Sequence, residues 1–217
     1  MKFLIFSRIS FEVLDPIALI ESYCFQSDFY ARYDLLGNRR VEDVNRIGAR
    51  ISSESLQKCK RVTIETNDLR ILKYDLDRFL ELHNKTRDDL TKELSEKVIV
   101  KLLEIKGIGL SKATKVLHTL YPRIIPIIDD ALQKEYKNKV NPQWMEEQSS
   151  QILSDYYNNF KGGDNWQNLT VVFDQTRSNN LTGLTKLRIF DILWWSYLKA
   201  KRLREQKNIN WSTIKYR

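Results

Sequence analysis

The chain has 217 residues, with 36 Lys+Arg against 28 Asp+Glu, a formal net charge of +8 and a pI near 9.4. At 42% hydrophobic and 29% charged residues the composition is globular rather than disordered, and 7 Gly, 4 Pro and no repeated tract exclude collagen-like, linker-like and solenoid architectures. The apolar runs fall far short of the roughly 20 residues a membrane span needs, and MKFLIF, followed by Arg8 and Glu12, is too short for a secretory core.

Apolar residues recur mostly at helical spacing. Asp15-Pro16 opens a first helix through Ile17, Leu19, Ile20 and Tyr23, with Asp15 as N-cap and Pro16 at the first position. Val41, Val44, Ile47 and Ile51 mark a second, entered from Gly37-Asn38. Leu56 lies in a short segment after Ser52-Ser53, and residues 62–65 are open to an extended reading. Asn67 or Asp68 caps a helix through Leu72, Leu76, Phe79, Leu80 and His83, and Thr86 caps another through Leu90 and Leu94. EKVIVKLLEI (96–105) is a strongly apolar helix and SKATKVLHTLY (111–121) the next. Asp129 or Asp130 opens a helix through Ala131, Leu132 and Tyr136. Pro142 with Trp144 starts one running to about Phe160, KGGDN is a loop, residues 166–176 are helix or turn, and 184–204 is the longest helix expected. No alternating strand pattern stands out and no Pro/Ser-rich linker divides the chain. The expected fold class is all-α, one domain over residues 1–217 whose lobes, if any, are built from interleaved segments.

Two cysteines, Cys24 and Cys59, make neither a disulfide framework nor a metal-ligand spacing, and His83 and His118 are too few for a His-based metal site. Cys24 is expected in the core. The composition suggests an intracellular, cytoplasmic protein, nucleoid-associated if the source is prokaryotic, with no cofactor and an acidic partner, nucleic acid first. The charge is uneven. Residues 186–217 hold nine Lys/Arg and two acids, a net +7 that leaves +1 for the rest. With Trp211 and Tyr216 interleaved, that segment suits a grip on a phosphate backbone as well as an ordinary solvated helix face.

The most informative stretch is VIVKLLEIKGIGLSKATKVLHTLYPRIIPIIDD (98–130). Two amphipathic helices flank Gly107-Ile108-Gly109. The glycines permit a tight turn or close backbone approach, Ile108 plugs the helix pair, and Ser111 is a good N-cap for the second helix. Turn amides and a helix N-terminus pointing outward together, between Lys106 and Lys112, suit a phosphate.

This block resembles the helix-hairpin-helix motif, and the wider stretch resembles the helix-hairpin-helix DNA glycosylase superfamily. In that superfamily an apolar run after the hairpin ends in a catalytic Asp at a helix start. Here Ile124-Ile125-Pro126-Ile127-Ile128 leads into Asp129, eighteen residues after Ser111. The resemblance implies two interleaved helical lobes with a cleft, and a backbone anchor for double- or single-stranded DNA formed by Lys106, Gly107, Ile108, Gly109, Leu110 and Lys112. It implies a catalytic site at Asp129 and Ser111. Ser111 stands where bifunctional members carry a nucleophilic Lys and where a monofunctional adenine glycosylase subfamily carries Ser, so no lyase lysine is implied there. Lys106 replaces the usual Pro, Asp130 the usual Thr or Ser, and no four-cysteine cluster follows, which excludes the iron–sulfur members. Residues 184–195, LTKLRIFDILWW, are also similar to the end of a family of uncharacterised bacterial hairpin proteins.

The activity so implied is monofunctional N-glycosidic cleavage of a damaged or modified base in DNA. The Asp129 carboxylate would stabilise oxocarbenium-like charge on the sugar and orient the attacking water, once the base is flipped out and stacked on aromatics drawn from Trp144, Trp166, Trp194, Trp195, Tyr30 and Tyr33. Two other readings stay open: a non-catalytic DNA-binding module on the same scaffold, and a scaffold protein that uses the hairpin only for packing. Residue by residue, plainer roles compete as well. Asp129 can be a simple N-cap, one of Trp194 and Trp195 is core, Asp191 pairs with Arg188 on the long helix, and His118 is a packed or surface histidine.

Overall fold

The computed structural model describes residues 1–5, 9–26, 40–64, 66, 68–136, 145–179, 181 and 183–207. It is mostly helical, as expected. It opens, however, on an antiparallel hairpin of β1 (Lys2–Ile5) and β2 (Ile9–Glu12), which was not expected. Phe3 and Phe11 face each other across it with rings 5.4 Å apart, and both are buried. Each strand has four residues, so only one buried pair repeats, too short an alternation to register as a strand pattern.

Helix α1 (Pro16–Gln26) begins where Asp15 Oδ1 accepts the Ala18 N–H at 2.9 Å. A 3₁₀ turn (Val41–Ile47) replaces the second expected helix and buries Val41, Val44 and Ile47; Gly37-Asn38, its expected entry, lies outside the described residues. Helix α2 (Ser53–Ile64) is one continuous helix where a short segment followed by an extended stretch was expected. The helix expected across 67–83 is instead a 3₁₀ turn (Arg70–Lys73) and then α3 (Leu76–Glu81). Asp75, not Asn67 or Asp68, caps α3 by accepting the Arg78 N–H. Helix α4 (Asn84–Leu94) starts two residues before Thr86, capped by His83. It runs without a break through a π-helical segment (Ser95–Ile99) into α5 (Val100–Leu103).

After the hairpin turn come α6 (Leu110–Leu120) and α7 (Asp130–Tyr136). Helix α8 (Met145–Asn158) leads through a 3₁₀ turn (Asn159–Lys161) to α9 (Asn165–Ser178), and α10 (Lys186–Lys207) is the longest. Pro142 and Trp144 lie outside the described residues.

One apolar core runs from Phe3 to Leu198. The β-hairpin and α1 pack on α9 and α10, so the start of the chain is joined to its last two described helices, while α4 packs along α8 and α6 along the first 3₁₀ turn. Eight consecutive residues of α10, Leu187 to Trp194, are buried. A helical stretch covered on every side has no solvent face, and six of these eight residues are apolar. Two of the buried residues, Arg188 and Asp191, are charged, and burial at that depth asks for a reason. Of the cysteines, Cys59 is buried and Cys24 only half-buried, a correction to its expected core position. Among the described residues no helix is long and apolar enough to cross a membrane.

Candidate functional site

The hairpin turn is built as its residue types require. Ile108 is buried, its N–H donates to Ile105 O at 3.0 Å, and Gly107 takes φ 82°, the left-handed region that favours glycine. Gly109 sits at φ −101° and ψ 178°, extended backbone open to any residue, so only one of the two glycines is needed for the bend. Gly109, not Ser111, occupies the N-cap of α6, and Ser111 lies half-buried in the helix's first turn beside half-buried Leu110. A Cβ built on either glycine meets nothing within 4 Å, so the outer face of the turn is open. Two contacts brace it from within: Ser55 Oγ donates to Lys106 O at 3.2 Å and Lys112 Nζ donates to Gly107 O at 2.9 Å. Lys106 projects as an exposed cation, whereas Lys112 is half-buried against the turn it braces.

The distance from hairpin to acid is fixed by hydrogen bonds. The Thr114 hydroxyl donates to Leu110 O and accepts the Ile128 N–H at 3.1 Å. His118, fully packed, meets Ile125 O through Nδ1 at 2.6 Å. Tyr157 donates to Ile124 O and Gln133 to Ile128 O. The apolar run 124–128 is thus pinned along α6 and delivers Asp129 at the head of α7, where its Oδ1 accepts the Leu132 N–H at 2.8 Å.

Asp129 is therefore an N-cap, and it also lines a cavity of about 280 Å³. Tyr23, Ile47, Lys115 and Ile127 line it from one side, and Arg188, Asp191, Ile192, Trp194 and Trp195 from α10. Residues 188, 191, 192 and 195 form an i, i+3, i+4, i+7 stripe, one face of a helix. Lys115 stands one turn after Ser111, and it is the α6 side chain that reaches the cavity.

The cavity is strongly charged. Burial lowers the Lys115 pKa, Asp129 and Asp130 oppose that, and Arg188 and Arg50 add to it. Arg50, exposed and held at φ 53°, therefore lies within electrostatic reach of the cavity. Asp191 is buried, and desolvation pushes its carboxyl up to about 7 against the pull of Arg188, the Tyr156 hydroxyl and the Ile127 N–H. Tyr156, itself held protonated by burial, donates to Asp191 Oδ1. Arg188 donates to the Tyr23 hydroxyl at 3.1 Å and lies over its ring. Where an Arg188–Asp191 ion pair was expected, Arg188 acts on Asp191 electrostatically, while hydrogen bonds run from Arg188 to Tyr23 and from Tyr156 to Asp191.

Of the aromatics expected in a base pocket, Trp194 and Trp195 line the cavity, the first buried and the second 39% exposed. Trp166 lies elsewhere, under Lys186 Nζ at 4.2 Å, and Tyr30, Tyr33 and Trp144 are outside the described residues. Tyr23, set edge-on to Trp195 at 5.7 Å, was missed as a lining residue, as were Lys115 and Arg188. Helical spacing carried a signal for two of them: Lys115 is four residues from Ser111, and Arg188 three from Asp191.

Fold and site together define a mostly helical protein in which the second hairpin helix, the segment leading to Asp129 and one face of a buried helix line a cavity with aromatic walls and charges of both signs. The chain belongs to a family of unknown function, DUF6308, whose model matches residues 65–198, more than half of the chain. That match spans the hairpin, Asp129 and the α10 stripe, while Tyr23 and Ile47 come from before it. No curated protein and no solved structure matches the chain.

Proposed function

We propose that the protein binds DNA and acts as a monofunctional N-glycosylase on a damaged or modified base, on a helix-hairpin-helix scaffold of two interleaved lobes. The observation that carries the reading is that the Asp129 carboxylate, though it caps α7, also faces a cavity walled by Tyr23, Trp194 and Trp195. A cap that served only its own helix would need no space beside it. The open turn at Lys106, Gly107, Ile108 and Gly109 is suited to hold a phosphate, and the pinned segment 124–128 sets the distance from that phosphate to the carboxylate.

In this mechanism the everted base enters between the aromatic walls. As the bond from C1′ to the base nitrogen breaks, its electron pair leaves with the base and positive charge develops on the sugar. Asp129 stabilises that charge and accepts a proton from the water that attacks C1′. Lys115 and Arg188 keep the cavity from accumulating net negative charge. Ser111 contributes through the first turn of α6, where it stands four residues from Lys115.

A gel assay on duplexes bearing deaminated, oxidised or alkylated bases tests the reading. Base release is expected for at least one lesion, and Asp129→Asn should lower it by about 10²-fold or more while the duplex still binds. Binding without release from any lesion would leave a non-catalytic DNA-binding module. Affinity unaffected by neutralising Lys106 and Lys112 together would leave only a scaffold.

A further inference from the structure

Arg50 stands in a backbone conformation that its residue type disfavours. Its φ is 53°, and among the described residues no other non-glycine residue has a positive φ. The loop around it imposes the conformation. Asn45 donates through Nδ2 to Ile51 O at 2.8 Å and accepts the Ile51 N–H at 2.7 Å, and Gly48 donates to Asn45 O at 3.1 Å. Ala49 and Ile51, on either side, are buried, while Arg50 is exposed. The Arg50 side chain has no hydrogen bond or ion pair among the described residues, whereas Arg46, Lys58 and Lys60 in the same stretch meet Asp43, Glu54 and Glu42. A glycine would take this φ without strain, and no contact of the arginine side chain offsets the cost. A strained cation held outward by its loop, with no partner in the fold, points to a partner outside the chain.

The position of Arg50 identifies the chemistry of that partner. Ile47, three residues earlier, lines the cavity, and Ser55, five residues later, donates to the Lys106 carbonyl in the hairpin turn at 3.2 Å. Arg50 thus lies on the stretch that joins the cavity wall to the turn, no more than about 18 Å of chain from Ser55. It also acts electrostatically on Lys115, which lines the cavity. An anion approaching the cavity meets Asp129, Asp130 and Asp191, with Lys115 and Arg188 to answer them. An exposed guanidinium beside the cavity adds the third cation, and its planar fork matches two phosphate oxygens.

We propose that Arg50 holds the phosphate of the nucleotide that enters the cavity, as a second backbone contact separate from the hairpin turn. One strand is then gripped at Lys106 and again at Arg50, with the everted nucleotide turned from Arg50 towards Asp129. The inference rests on the DNA reading above but not on hydrolysis.

Two labelled duplexes of one sequence test it, one intact and one carrying a tetrahydrofuran abasic-site analogue, whose nucleotide leaves the stack at least cost. Fluorescence anisotropy of each with the full chain is followed between about 50 and 200 mM salt. Arg50→Gly and Arg50→Gln should bind the abasic duplex about tenfold more weakly, with a salt slope shallower by about 0.9, one phosphate contact. Both should bind the intact duplex as the wild type does, since no nucleotide is everted there. Arg50→Lys should keep the wild-type slope. The urea midpoint of Arg50→Gly should equal or exceed the wild-type value, because strain is removed and no side-chain contact is lost. Arg50→Gln keeps the wild-type backbone and reads binding independently of that change. An unchanged slope on the abasic duplex, equal losses on the two duplexes, or a lowered midpoint in Arg50→Gly would each overturn the proposal and leave the DNA reading standing. Wild-type protein that binds neither duplex would remove the DNA reading, and the proposal with it.

Discussion

At Gly107 the chain takes φ 82°, where an L side chain is strained, while Gly109 is extended. Neither glycine has a neighbour within 4 Å of a built Cβ, so substitution tests backbone strain alone. Gly107→Ala should cost about 1 kcal/mol in urea unfolding, and Gly109→Ala no more than about 0.5 kcal/mol. Equal costs would mean that the bend is not set by Gly107. A sequence cannot separate these two residues, because spacing shows that a turn is present but not which position carries the positive φ. Asp129 was legible for a different reason. Thr114 and His118 fix the path from α6 to the acid, so a constant spacing in the chain stands for a constant distance in space. Lys115, Tyr23 and Arg188 belong to the same cavity through packing between distant segments, which no local spacing encodes.

Between α4 and α8 the packing is a polar seam as well as an apolar one. Buried Arg87 donates to Asn84 Oδ1 at 2.8 Å, to Asn158 Oδ1 at 2.9 Å and to Leu80 O at 3.4 Å. Thr91 and Ser154 share a hydrogen bond of 2.8 Å, Ser154 reaches Asp88, and Ser95 meets Ser149. Removing Arg87 leaves the buried Leu80 carbonyl unpaired and takes away the packing of its stem, while Asn84 and Asn158 are exposed residues that can turn to water. Arg87→Ala should therefore lose about 2–4 kcal/mol of unfolding free energy, and Arg87→Lys, whose single ammonium cannot span the same acceptors, about half of that. A loss below about 1 kcal/mol for Arg87→Ala would show that the seam is not needed for stability. This seam also explains why the break expected near residue 95 is absent. Ser95 and Glu96 look like a polar boundary between two helices, yet the backbone stays helical through a π segment and Ser95 is turned inward to Ser149. Helix α2 was underestimated for the converse reason. SESLQKCKRVTI is mostly polar, with only Cys59 and Thr63 buried, so its apolar stripe is too thin to announce twelve residues.

Across the whole molecule the basic excess is divided among different tasks. In the segment carrying a net +7, Lys186 pairs with Asp77 at 3.0 Å and lies over Trp166, Arg188 is buried at the cavity, and Lys199 sits over the Trp195 ring at 4.9 Å. These three cations are held in structural contacts, so the run of charge in the sequence overstates a surface grip there. Trp211 and Tyr216 lie outside the described residues. Lys106, by contrast, is a single exposed cation on an open turn. If that turn holds a phosphate, each phosphate contact adds about 0.9 to the steepness with which log affinity falls against log salt. Fluorescence anisotropy of a labelled duplex between about 50 and 200 mM salt reads this slope directly. Lys106→Ala should make it shallower by about one contact, and Lys186→Ala should leave it nearly unchanged because its partner is Asp77. An unchanged slope in Lys106→Ala would mean that DNA is held by the net charge of the molecule and not by its hairpin. The distance argument that links a bound phosphate to Asp129 would then fail with it.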